Sequence, residues 1–301
     1  MLEIGNVLSL FDGMSCGQIA LNKLGIQYEN YYASEIDKYA MQVTQSNYPN
    51  TIQLGSVLDV KAEKLPKIDL LFGGSPCQSF SLAGRGEGFD GESRLFWEYV
   101  RVLNEVKPKY FLLENVVMKK EFEYVITDAL GVQPKLINSR LVSAQNRPRL
   151  YWTNIPGLQL PTDRNVHIRD IISHEVDPKY NLSDLAVAKV MRSKFGREFA
   201  TVHTKKTRTL VAGYYKIPSD GIYFDNGQQK RRYTPIECER LQTVPDGYTE
   251  GVSDTQRYKM LGNGWTVDVI AHIFSFIFDQ DGSLQEPTKR RTIKYSQGKL
   301  F

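Results

Sequence analysis

Cysteine is scarce in this chain. Cys16, Cys77 and Cys238 are the only three, far apart and without a CxxC pair, so neither a disulfide framework nor a cysteine-rich zinc site is expected, and a reducing cytoplasm suits the sequence best. No apolar run approaches the ~18 residues of a membrane span, and Met1-Leu2-Glu3 opens without a basic and then apolar leader. A soluble, unexported protein is expected. The glycines never reach the full G-x-G-x-x-G spacing and no Walker lysine follows them, which weighs against nicotinamide oxidoreductases and ATP-driven enzymes. A strong charge of one sign is missing too. The formal net charge is +4, which permits nucleic acid as a partner without requiring it.

What is present is a regular alternation. With 301 residues and 41% hydrophobic content, the chain can bury one substantial core and a second small lobe. The apolar stretch 6–11 reads as a strand, Asp12-Gly13-Met14-Ser15-Cys16-Gly17 as a turn, and Ile19, Ala20, Leu21 and Leu24 as a helix face. That order opens nucleotide-binding α/β folds, because a glycine turn lets a ligand meet backbone at a helix start. A second strand, 28–34, ends in Glu35-Ile36-Asp37, and an acid there suits the hydroxyls of a ribose. The short strand 52–54 leads into Gly55-Ser56-Val57-Leu58-Asp59. Helices over 93–106 and 119–130 alternate with strands at 69–72, 110–113, 135–139 and 149–154. A doubly wound, mostly parallel sheet follows.

The loop Gly73-Gly74-Ser75-Pro76-Cys77-Gln78-Ser79-Phe80-Ser81 leaves the strand at 69–72. It places a thiol where open α/β sheets keep their chemistry, with Pro76 fixing the approach. A lone cysteine is ordinarily a small buried hydrophobe; here its company argues otherwise. Tyr110-Phe111-Leu112-Leu113 delivers Glu114-Asn115 at a second strand end, and Gln145-Asn146-Arg147-Pro148-Arg149 brings two guanidinium groups. Positive charge turns a thiol into a nucleophile, and Arg147 or Arg149 is a candidate to supply it. If Cys77 attacks C6 of a cytosine while Glu114 contacts N3 and the exocyclic amine, C5 becomes enamine-like and can accept a methyl group. The glycine-rich segment 84–91 behind the thiol reads as a mobile lid.

From 158 to 232 the alternation stops. The segment is polar and basic, carrying Lys189, Arg192, Lys194, Arg197, Lys205, Lys206, Arg208, Lys230, Arg231 and Arg232 beside Tyr214 and Tyr215. Cations interleaved with aromatics fit a nucleic-acid face, although a solvated surface has the same composition. Thr234-Pro235-Ile236-Glu237 predicts a capping box that starts a helix, ended by Pro245. A last helical region, 256–279, is interrupted at Leu261-Gly262-Asn263-Gly264-Trp265. Beyond 280 a flexible basic tail is expected.

These landmarks, in this order, resemble the cytosine-C5 DNA methyltransferase family over essentially the whole chain. The resemblance is carried by Leu10-Phe11-Asp12-Gly13, Ala33-Ser34-Glu35, Gly74 to Ser81, Glu114-Asn115-Val116, Gln145-x-Arg147-x-Arg149, the run from Arg232 to Gln242 and Leu261 to Trp265. Several stretches look closest to the animal de novo enzymes, in a compact form that lacks their long extensions and is expected from a phage or bacterium. The resemblance implies a Rossmann-like sheet over 1–157 and 233–279, a target-recognition domain over 158–232, and S-adenosylmethionine as cofactor, with no metal. It makes Cys77 the covalent nucleophile, Glu114 the acid at cytosine N3, and Arg149 with Arg147 the holders of the ring and of Glu114. Phe11, Asp12, Gly13, Glu35, Ile36, Ser56, Val57, Pro76, Asn263, Gly264 and Trp265 would line the cofactor site. Ser81, Arg85, Gln145, Lys205, Lys206, Arg208, Lys230, Arg231 and Arg232 would face double-stranded DNA, whose target base must be flipped out. Ser56 departs from the family's frequent Asp, Ile36 from an aromatic and Ser9 from an Asp.

An RNA cytosine methyltransferase and a non-catalytic DNA-binding relative are the rival readings. The terminal Gln297-Gly298-Lys299-Leu300-Phe301 resembles the short peptide by which bacterial proteins dock into the DNA sliding clamp. A monomer is expected.

Overall fold

The computed structural model describes residues 2–76, 95–193, 199–218 and 222–291. Its frame is a seven-stranded sheet of β2 (Asn6–Leu10), β4 (Tyr31–Ser34), β5 (Ile52–Gln53), β6 (Ile68–Gly73), β7 (Tyr110–Val116), β8 (Lys135–Asn138) and β9 (Pro148–Thr153), in the order β5-β4-β2-β6-β7-β9-β8. All pairings are parallel except those of β9, which runs antiparallel to both β7 and β8. The expected mostly parallel α/β sheet is present. Strand order reverses between β2 and β6, and the crevice outside their carboxyl ends is where open α/β sheets bind ligands.

Helices cover both faces, so the strands are apolar on both sides. Leu8, Leu10, Leu71, Phe111 and Leu113 pack with α3 (Leu95–Val106) and α4 (Lys120–Leu130). The alternate residues Val7, Leu70, Phe72, Tyr110 and Leu112 pack with α1 (Cys16–Lys23), α2 (Lys38–Asn47) and α8 (Val267–Phe274). Continuous apolar runs such as Leu70-Leu71-Phe72 arise because each residue of a two-period strand meets one of two buried layers. Phe72 lies 5.3 Å from Phe274 and 6.0 Å from Tyr31, ring to ring.

Several boundaries differ from expectation. The strand expected over 28–34 is two pieces. β3 (Gln27–Tyr28) pairs with β1 (Glu3–Ile4), while β4 joins the main sheet. The Asn6 side chain sits at the break, donating to Glu29 and accepting from Asn30. The capping box forms as expected at α6 (Pro235–Leu241), but that helix ends at Leu241, before Pro245, because Thr243 turns into the left-handed region at φ 53°. The last helical region is α7 (Asp254–Asn263) followed by α8, broken at Gly264-Trp265-Thr266. By length and composition 254–277 could cross a membrane, yet 67% of its most apolar window is buried. It is a core element.

The expectation of a flexible tail from 280 is corrected over its first part, residues 292–301 lying outside the described residues. Residues 285–291 are strapped across the start of β7. Tyr110 donates its hydroxyl to the Gln285 carbonyl, and the Thr288 amide donates to the Asn154 carbonyl at 2.8 Å. Arg290 donates to the Leu130 carbonyl at 2.9 Å and lies 5.4 Å from the Phe111 ring. It thereby satisfies an end carbonyl of α4. Gly131, at φ 69°, would place a Cβ 2.5 Å from the Arg291 carbonyl oxygen, so the strap needs glycine there. Residues 297–301 lie outside the described residues.

Residues 158–232 contain α5 (Asp184–Arg192) and the hairpin β10 (Tyr223–Asp225) with β11 (Lys230–Arg232). Leu182, Val190 and Tyr223 form a small cluster of their own. Leu210, Tyr214, Ile222 and Phe224 instead join the core of the sheet, so the segment is fastened to it by shared apolar packing.

Candidate active site

At the end of β2 the backbone is wound tightly. Phe11, Gly13 and Ser15 have φ of 58°, 59° and 64°, a conformation that costs non-glycine residues energy and collects at functional sites. Glu35, just past β4, holds this loop, accepting the Gly13 amide at 2.7 Å on one oxygen and the Ile36 and Asp37 amides at 2.7 and 2.8 Å on the other. Asp37 caps α2 through the Tyr39 amide. Asp12 accepts the Tyr31 hydroxyl at 2.7 Å on Oδ1, while its Oδ2 is buried without a partner. Burial pushes the Asp12 carboxyl up to about 6, against the opposing pull of the Ser9, Tyr31 and Ser15 hydroxyls. Ser56 Oγ accepts the Leu58 amide at 3.2 Å and Val57 is buried. Two apolar side chains stand exposed beside these turns, Ile36 at 77% and Leu58 at 60%.

Across the switch point, β6 runs into Gly74-Ser75-Pro76. Asn115 steadies that turn, donating its amide to the Ser75 hydroxyl at 3.2 Å and carbonyl at 3.4 Å. Glu114 is buried beside it. On antiparallel β7 and β9, Glu114 faces Tyr151 and Val116 faces Arg149, so Glu114 and Arg149 are diagonal neighbours within reach of long side chains. The Arg149 Nε lies 2.9 Å from Glu114 Oε1, and the indole N–H of Trp265 donates to Glu114 Oε2 at 3.1 Å. Both carboxylate oxygens are engaged. A Cβ on Gly74 would come within 3.0 Å of both Glu114 Oε2 and the Trp265 nitrogen, so glycine is what lets the acid and the loop meet.

Arg147 does something else. Expected at the ring and at Glu114, it is buried and donates to the carbonyls of Leu210 (2.8 Å), Gly262 (3.2 Å) and Gly264 (2.9 Å). Gln145, expected at DNA, is buried as well. It donates to the Leu241 carbonyl and to Gln242 Oε1, and accepts the Leu210 amide at 3.0 Å. Gln242 in turn donates to the carbonyls of Leu261 and Gly264. The three side chains form a buried polar hub that fastens β9 to the loop carrying Asn263, Gly264 and Trp265, where water would otherwise have to satisfy those carbonyls. Gln242 was visible in the sequence only as part of the run from Arg232, with no sign of this role.

A profile of C-5 cytosine-specific DNA methylases matches residues 5–279. The chain belongs to that family. It is 31% identical over 295 residues to the Type II methyltransferase M1.ScrFI of Lactococcus lactis subsp. cremoris, an alignment covering 88% of this chain and 75% of that relative. It is also 31% identical over 294 residues to M.NlaX of Neisseria lactamica, covering 89% and 94%. The solved structure of the Entamoeba histolytica methyltransferase EhMeth superposes with a TM-score of 0.77 over 90% of this chain and 97% of the other, at 19% identity, which speaks to the fold. The chain is accordingly a DNA cytosine-C5 methyltransferase.

The expected DNA-facing cations of this methylase divide by burial. Lys205 and Arg208 are exposed. Lys206 is not available: its ammonium donates to the Ser143 and Val166 carbonyls at 3.1 and 2.7 Å, and burial lowers its pKa. Arg231 is corrected likewise. It is 3% exposed and makes two 2.7 Å bonds to fully buried Glu237, because the middle residue of a three-residue strand points inward while its neighbours point out. Lys230 pairs with Asp225 at 3.1 Å, and Arg232 donates to the Tyr215 carbonyl while its Nε is buried without a partner.

Burial raises the Cys16 thiol to about 12 and the Cys238 thiol well above its usual range, so neither can serve as a thiolate near neutrality. Cys77, Ser81, Arg85, Lys194, Arg197 and the glycine-rich segment 84–91 lie outside the described residues. Among the described residues no cluster of His, Cys, Asp and Glu could hold a metal ion.

Proposed function

We propose that the crevice transfers a methyl group from S-adenosylmethionine to C5 of a cytosine turned out of duplex DNA, through a covalent bond between the Cys77 sulfur and C6. The observation that carries this is Glu114. A carboxylate gripped by Arg149 and Trp265 stands against Gly74-Ser75-Pro76, the turn whose next residue is Cys77. With Cys16 and Cys238 inert, Cys77 is the thiol left for the chemistry.

The cofactor supplies an electrophilic methyl group when bound. The residues at the β2 and β4 ends fit it. Asp12 keeps a buried oxygen without a donor, suited to a cationic group. Glu35 suits ribose hydroxyls, and Gly13 leaves open space where a Cβ would stand. Ser56 and Val57, with exposed Ile36, would border the adenine, and Phe11, Pro76, Asn263, Gly264 and Trp265 the rest. Cys77 attacks C6 as Glu114 holds a proton at N3. The electron pair moves to C5, which takes the methyl; loss of the C5 proton then expels the sulfur and restores the ring. Arg149 keeps the carboxyl in place and lowers the cost of its charge.

Residues 158–232 act as the target-recognition domain, with Lys205, Arg208, Lys230 and Arg232 toward phosphates. The enzyme works as a monomer in the cytoplasm of a bacterial or phage-infected cell, with residues 297–301 docking to the sliding clamp. Transfer of labelled methyl to duplex DNA, followed by bisulfite-type sequencing, tests the reading for wild type and Cys77→Ala. Signal confined to cytosines and lost in the variant is expected; transfer to RNA and not to DNA overturns it. Deleting residues 297–301 should abolish clamp binding and leave methyl transfer unchanged.

A further inference from the structure

We infer that Trp265 is a positioning residue for Glu114, coupling the loop between α7 and α8 to the acid of the base pocket; this rests on the reading of Glu114 given above. The backbone on both sides of Trp265 is pinned. The Gly264 carbonyl accepts from both Arg147 (2.9 Å) and Gln242 (3.1 Å), and the Trp265 carbonyl accepts the Cys16 thiol at 3.7 Å. The Thr266 hydroxyl donates to Gln242 Oε1 at 2.9 Å and accepts from Ser139 at 2.8 Å. The ring leans on Phe72, 5.9 Å between centroids. With its backbone and face both set, the indole N–H points at one place, Glu114 Oε2.

Simple packing does not account for this. A tryptophan that only filled space would leave the carboxylate to Arg149, whose Nε lies 2.9 Å from Oε1. The indole instead fixes the second oxygen, and with it the plane of the carboxyl group. Among the described residues, Arg149 and Tyr151 on β9 flank Glu114, with Arg147 behind; the Tyr151 hydroxyl feels Glu114 and both arginines. Because the same loop carries Asn263 and Gly264 to the cofactor side, ordering it also orders the acid.

Two measurements on the full chain test this. The protein has three tryptophans, so Trp265→Phe removes one indole N–H resonance from an 15N spectrum and assigns it. That resonance should move in Glu114→Gln, since the indole N–H donates to Glu114 Oε2; a resonance indifferent to Glu114→Gln overturns the inference without any assay of activity. In methyl transfer, Trp265→Phe should lower kcat about 10-fold. Unchanged kcat overturns the positioning role while the reaction stands. Undiminished transfer in Glu114→Gln overturns instead the reading of Glu114 on which it rests.

Discussion

The crevice at the ends of β2, β6 and β7 and the segment 158–232 bury similar polar groups and treat them differently. In the crevice the arrangement is incomplete: Asp12 keeps an unpartnered buried oxygen, Phe11 and Ser15 hold strained backbone, and Glu114 is reached by the Arg149 guanidinium and the Trp265 indole from different elements. Around Arg231 it is closed: Arg231 and Glu237 satisfy one another, Glu237 also accepts the Thr234 and Ser173 amides, and Lys206 is spent on carbonyls. Buried charge with every bond made is scaffold, whereas buried charge with something left over awaits a ligand.

The largest test breaks the closed side. Glu237→Ala strands a buried guanidinium and should cost about 3–5 kcal/mol, whereas replacing the pair together with Met and Leu should cost much less; urea unfolding reads both. A single-variant loss under about 1 kcal/mol would undo the contrast. Arg149→Ala should next reduce methyl transfer about 100-fold while leaving most of the stability. Arg147→Ala, two residues away, should do the reverse, losing about 2–4 kcal/mol through unpaired carbonyls and activity only as the folded fraction falls.

Asp12→Asn sharpens the open side. The folded carboxyl titrates near 6 against an ordinary 3.8, so its contribution to stability is intact below pH ~4 and lost as pH rises through about 6. The variant should therefore be more stable than wild type at pH 7, by at most about 3 kcal/mol, and equal to it at pH 4. Its cofactor should bind more weakly, and wild-type affinity should rise as pH passes about 6. Thermal melts with and without S-adenosylmethionine distinguish the two effects. Smallest of all, Lys205→Ala should leave stability unchanged, weaken DNA binding a few-fold and reduce the salt slope by about one.

Much of the sheet half was legible because its signals are local. Apolar runs of strand length, a capping box at Thr234 and glycine turns after strands each depend on a few neighbouring residues. The second segment was less so. Its basic residues read alike in one dimension, and only strand alternation and packing separate inward Arg231 from Lys230 and Arg232. The strap over 285–291 was misread for a similar reason. Polar residues with no periodicity look like tail until the carbonyl ends of α4 and the Phe111 ring supply partners.

Local chemistry along the chain was enough to set the α/β alternation, the family, and the candidate trio of Cys77, Glu114 and Arg149, because each is announced by its own strand end or turn. The tertiary structure alone decided that Gln145, Arg147 and Gln242 are a hub rather than a DNA or base contact, and that Trp265 reaches Glu114. Those roles depend on which distant carbonyls and carboxylates come within 3 Å, a property of folded geometry that no spacing in the sequence encodes.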